Sequence, residues 1–126
     1  REPSRRAEYL VRSRGFEVDG SKVPQALLAE VFEINEGMEE LRAARASGDD
    51  TDTLVEALEG SRAKIYRMRE DYDNRLQAAF SEWDRLGSEP DADTQRLEQL
   101  SNLADIISHS SYIRNMERDI DSEVSR

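Results

Sequence analysis

The spacing of apolar residues along the chain predicts helices and no strand. In the stretch LLAEVFEINEGMEEL, Leu27, Val31, Ile34, Met38 and Leu41 recur at steps of four, three, four and three. That spacing keeps one helical face toward a partner and predicts a helix over 24–46. Pro24 falls in its first turn, where a missing N–H is tolerated, and Ser21 and Lys22 lie near its entry. Upstream, Ala7, Leu10 and Val11 share one side of a short helix over 4–13, stopped by Gly15. Phe16 and Val18 are apolar anchors in the connection that follows.

After SGDDTDT the pattern predicts a long helix over 53–86. Its seam is Leu54, Leu58, Ile65, Met68, Tyr72, Leu76, Ala79, Trp83 and Leu86, with polar Ser61 inside it. Thr53 and Glu56 have capping-box spacing. The phase drifts around Tyr72, Leu76 and Ala79, as at a stutter in a heptad repeat. In GSEPDAD, Gly87 and Pro90 read as stop and start signals. A last helix is predicted over 92–122. Leu97, Leu100, Leu103 and Ile107 begin its apolar side, and Ile106, Ile113, Met116, Ile120 and Val124 carry it on. Short connections make neighbouring helices antiparallel. The expected fold class is all-α, an elongated antiparallel three-helix bundle over 21–126 with a short preceding N-terminal helix and connection over 1–20.

Phe32 does not fit this seam. At 100° per residue it lies about 140° from the seam centre, and Leu28 lies about 100° from it. Four residues apart, the two are neighbours on the helix surface. Asn35, Glu36 and Glu39 flank them, and Glu30, Glu33 and Glu40 complete an acidic helix. An apolar pair inside an acidic rim has the make-up of a small protein interface. The alternative is that the first helix or Phe16 covers the pair.

Composition narrows the function classes. Charged residues make up 37% of the 126, as many as the hydrophobic ones, which favours long solvated helices. The net charge is −10, with no basic footprint for phosphate backbones or anionic lipid, so neither nucleic acid nor membrane is expected as a partner. No apolar run approaches the roughly 20 residues that span a bilayer, and no signal peptide is visible. A soluble, cytoplasmic protein is the expectation. Without cysteine the chain offers no thiolate nucleophile and no cysteine-ligated cluster.

Candidate chemistry is thin. Asp71, Asp73 and Glu82 in DYDNRLQAAFSE match the first, third and twelfth positions of a calcium loop. Arg75 and Leu76 stand where that loop needs a ligand and a glycine, and the same residues continue a helical seam. His109, the sole histidine, falls beside Ile106 and Ile113 and reads as a packed or hydrogen-bonded side chain. A zinc site needs about four ligands, which the chain does not supply. Ser108, Ser110 and Ser111 are sequence neighbours of His109, but adjacent helical residues point different ways. No catalytic residue, cofactor or metal is expected, and the chain does not read as an enzyme. Gly37, inside the second predicted helix, reads as a close approach of a neighbouring backbone or a flex point.

PSRRAEYLVRSRGF, Pro3 to Phe16, resembles the start of the C-terminal domain of HscB-like J-type co-chaperones of iron–sulfur cluster assembly. The matching residues are Pro3, Arg6, Ala7, Glu8, Tyr9, Leu10, Gly15 and Phe16, with Val11 where the family usually has leucine. The acidic FEINEGMEEL helix and the final YIRNMERDIDSE segment are similar in layout. The resemblance implies a domain that binds an iron–sulfur scaffold protein of the IscU type and presents it to a DnaK-like chaperone. It implies partner-binding roles for Leu28, Phe32, Glu33, Glu36 and Tyr112. Ala29 stands where the family has methionine, a loss of apolar contact. The His-Pro-Asp signature of a J domain is absent from these residues, so the chaperone-activating half is expected upstream of Arg1, with 1–20 as the end of its linker. The two longest predicted helices exceed the family's by about a turn or two. The alternative function is a structural helical bundle that self-associates through its long helices.

Overall fold

The computed structural model describes residues 3–126, so Arg1 and Glu2, the first two positions of the expected N-terminal segment, lie outside the described residues. Helix α1 is Pro3–Ser13, α2 is Leu28–Ser47, α3 is Asp52–Gly87 and α4 is Asp93–Val124. A single 3-10 turn, Gln25–Leu27, precedes α2. The described residues contain no strand. The fold is an all-α helical bundle, as the apolar periodicity requires.

The packing groups the chain into two units. One combines the chain up to Lys22 with Arg69–Tyr112, and the other combines Val23–Met68 with Ile113–Arg126. Helices α3 and α4 each contribute to both.

In the first unit, Ala7 and Val11 of α1 are buried with Leu76, Ala79, Leu100, Leu103, Ala104, Ile106 and Ile107. Leu10, Phe16, Val18, Tyr72, Phe80 and Trp83 pack against this core. The end of α1 explains the Gly-Phe pair. Gly15 has φ +89, and its N–H bonds the carbonyl of Arg12, while the Phe16 N–H reaches the carbonyl of Val11 at 2.9 Å. This is a Schellman cap, which wants glycine in the left-handed position and an apolar residue after it. The chain then turns at Asp19, whose carboxylate accepts from the backbone and hydroxyl of Ser21, while its own N–H bonds Ser108 Oγ at 2.9 Å. Lys22 pairs with Asp105 at 2.8 Å. Gln99 Nε2 donates to the Ala79 carbonyl and Tyr72 lies against His109, a descending register that makes α3 and α4 antiparallel here.

In the second unit the predicted α2 seam is buried throughout: Leu27, Val31, Ile34, Met38 and Leu41. Leu58, Ile65, Ile113, Met116 and Ile120 are buried too. A β-carbon placed on Gly37 would meet Leu58 Cδ2 at 3.3 Å, so the close approach read from Gly37 is to a side chain of α3. With Glu30 facing Lys64 at 3.8 Å, the register makes α2 and α3 antiparallel. Helix α2 ends in a second Schellman cap, with Gly48 at φ +75 and the Asp49 N–H on the Ala44 carbonyl.

Several local expectations need correction. The α-helix starts at Leu28 rather than 24, because Pro24 keeps an extended ψ of 132° and a 3-10 turn comes first, with the Leu27 N–H on the Pro24 carbonyl and the Leu28 N–H on the Gln25 carbonyl. Thr53 is no N-cap. The Asp50 carboxylate takes the Asp52 N–H at 3.1 Å, and Thr53 is already inside α3. In the α3–α4 connection α3 ends at Gly87, the expected stop, while Pro90 precedes the helix start at Asp93 and Asp91 takes the left-handed conformation, φ +60. Leu97 is 60% exposed rather than part of the seam. It lies about 90° from the centre of the stripe formed by Leu100, Leu103, Ala104, Ile106 and Ile107.

Candidate partner-binding site

The 3-10 turn sets the site. It closes on Leu27, which turns inward, and the next residue, Leu28, opens α2 facing outward. One turn on, Val31 is buried and Phe32 is exposed. Leu28 is 52% and Phe32 64% exposed. Phe16, the residue that would cover them in the alternative arrangement, is instead packed on the core of its own unit. Ala29, Glu33 and Glu36 are exposed on the same side of α2. A helix face with an exposed phenylalanine, an exposed leucine and carboxylates around them therefore stands on a completed core.

Glu30 differs from the other glutamates of α2. It is largely buried, with Oε2 shielded from solvent and lacking a hydrogen-bond partner, and Lys64 sits 3.8 Å away. It faces α3 and is not part of the exposed rim.

Tyr112, the remaining predicted site residue, closes the first unit and is half-buried. Packing within the second unit brings together Leu28, Ala29, Phe32, Glu33 and Glu36, all from one helix.

Comparison of the chain with family models, curated proteins and solved structures returned no match. The resemblance of Pro3–Phe16 therefore stands on its own residues. In the fold, Ala7, Leu10, Val11, Gly15 and Phe16 are packing and capping residues.

Other chemistry-bearing residues have structural surroundings. Tyr72 and His109 make an edge-on ring contact, centroids 5.9 Å apart, with the Tyr72 hydroxyl 3.5 Å from Nδ1. Burial lowers the His109 pKa, with Lys22 and Arg75 acting the same way and Asp105 opposing. A neutral imidazole is therefore favoured. Helix α3 is unbroken through Asp71, Asp73 and Glu82, so these residues form no calcium loop. Among the described residues no group of three potential ligands is arranged to hold a metal ion, and no helix is long and apolar enough to cross a membrane.

Two features were not anticipated from the sequence. Glu123 is 3% exposed and held by Arg42 and Arg45. Trp83 carries an arginine from each of two other segments, Arg14 and Arg96. Single-helix periodicity holds no signal for either, since each depends on which helices meet.

Proposed function

We propose that this chain is a protein-binding helical module that docks a partner on the Leu28–Phe32 face of α2, and that the partner is an iron–sulfur cluster scaffold of the IscU type. The observation that supports it is the exposure of both residues above a seam that is complete without them. An aromatic side chain offers about 150–250 Å² of surface to a partner. At roughly 25 cal/mol per Å², covering the exposed 64% of Phe32 supplies about 2–4 kcal/mol before the cost of association, so one such anchor can dominate a small interface. Glu33 and Glu36 favour a partner carrying basic groups beside an apolar pocket, and they raise the rate of encounter more than the affinity. The choice of scaffold and its presentation to a DnaK-like chaperone rest on the resemblance of Pro3–Phe16, and a cytoplasmic site of action on the composition. The role is recognition, with no covalent step.

Calorimetric titration of a purified scaffold into the chain tests this. A saturable one-to-one isotherm that weakens with added salt is expected. Concentration-dependent self-association together with no response to scaffold would favour the structural-bundle alternative.

A further inference from the structure

A second surface lies in the first unit and shares no residue with the proposed binding face. The end of α1, the end of α3 and the start of α4 enclose an open groove of about 310 Å³, lined by Arg14, Trp83, Asp93, Arg96, Leu97 and Leu100. Arg14 and Arg96 stack on Trp83, their guanidinium carbons 5.6 and 5.5 Å from the ring centroid. Among the described residues neither arginine has a carboxylate within salt-bridge distance. Other arginines of this chain are paired, Arg12 with Glu8 and Arg85 with Glu82 and Glu89 among them. The Arg96 Nε is buried with no acceptor.

We infer that this groove is a docking site for an acidic peptide segment that carries an aliphatic or aromatic side chain. A guanidinium held over an indole by cation–π attraction keeps its in-plane N–H groups free to donate in pairs to a carboxylate. The cost of ordering a long arginine side chain is thereby met before the ligand arrives. Leu97, exposed in the groove with Leu100 behind it, supplies the apolar half. Charge complementarity decides the sign of the occupant. The whole chain has a net charge of −10, yet residues 3–16 hold four arginines against one glutamate, and Arg14 and Arg96 outweigh Asp93 in the groove itself. A polyphosphate strand would meet the same arginines. It would leave Leu97 and Leu100 without an apolar partner, which favours a peptide.

The probe is a short acetylated, amidated peptide with a central leucine and phenylalanine flanked by glutamates. Binding is read by calorimetry and by the emission of Trp83, the only tryptophan. A saturable change is expected, weakening with salt. Affinity should fall about tenfold or more in Arg96→Glu and in Leu97→Glu. Leu97 is exposed, so Leu97→Glu keeps the helical circular dichroism and remains informative should Arg96→Glu disturb folding. Lack of saturable binding overturns the proposal, as does unchanged affinity in Leu97→Glu. Equal binding of an all-glutamate peptide removes the apolar half of it, and tighter binding of a single-stranded oligonucleotide than of the peptide overturns the occupant.

Discussion

Glu123 Oε1 accepts a hydrogen bond from Arg42 Nε at 2.8 Å, deep enough that the Glu123 side chain is almost fully enclosed. Arg45 adds to the grip, reaching the backbone carbonyl of Glu123 at 2.6 Å and Oε2 at 3.3 Å. The end of α4 is thus tied to the end of α2 inside the second unit.

Removing this carboxylate leaves Arg42 without its acceptor and Arg45 with the backbone carbonyl alone. Glu123→Ala is expected to cost about 2–3 kcal/mol in urea denaturation, the range for a charged hydrogen-bond partner. Arg42 is more than half exposed, yet Arg42→Ala strips the enclosed carboxylate of its shortest hydrogen bond and should cost about 1–3 kcal/mol. A cost near zero for both variants would show that the enclosure of Glu123 does not set the energy.

The glycines inside helices separate two effects. Gly60 lies within α3 with open space around it, so Gly60→Ala should stabilise by about 0.5–1 kcal/mol through helix propensity alone. At Gly37 the same gain is opposed by the 3.3 Å approach of Leu58, which is buried and cannot easily move. Gly37→Ala should therefore be near neutral, and Gly37→Val destabilising by about 1–3 kcal/mol. Thermal unfolding of the three variants checks the order; a Gly37→Val as stable as the parent would contradict the packing of α2 on α3.

How far the sequence could be read follows from these cases. The α2 seam was legible because five apolar residues at alternating steps of four and three leave one solution. The exposure of Phe32 was legible as one of two alternatives, since a helical wheel shows that a residue is off the seam but not whether another segment covers it. Leu97 was misplaced because three residues separate it from Leu100, a spacing that suits either the seam or its edge. Glu123 and the Arg14–Trp83–Arg96 stack were illegible, because their partners lie far away in sequence and no local spacing announces them. The same holds for the grouping of the N-terminal segment with the second half of α3 and the first part of α4.

His109 gives a pH signature. Its folded pKa lies below the ordinary 6.5, mainly through burial, so the unfolded state binds the proton more readily. The His109 contribution is therefore fully present above about pH 7 and lost as pH falls through the ordinary value toward the folded one. Asp19 and Glu82, whose pKa values are lowered by hydrogen bonds from Ser21 and Arg85, lose their contribution only at more acid pH, beneath the ordinary carboxylate values. Urea midpoints between about pH 8 and pH 5.5 should fall in the parent and change less in His109→Asn. Parallel curves would contradict a desolvated imidazole.

The central claim is that Phe32 serves a partner and not the core. Truncating a core aromatic costs about 3–5 kcal/mol of stability, whereas truncating an exposed interface anchor costs about 2 kcal/mol or more of binding and little stability. The most direct measurement is Phe32→Ala, assayed by thermal unfolding and by calorimetry against an IscU-type scaffold, with Leu41→Ala as the buried reference for stability. The account predicts an unfolding curve close to the parent and scaffold binding weakened by more than about tenfold. An unfolded or strongly destabilised Phe32→Ala, or one that binds the scaffold as the parent does, would contradict it.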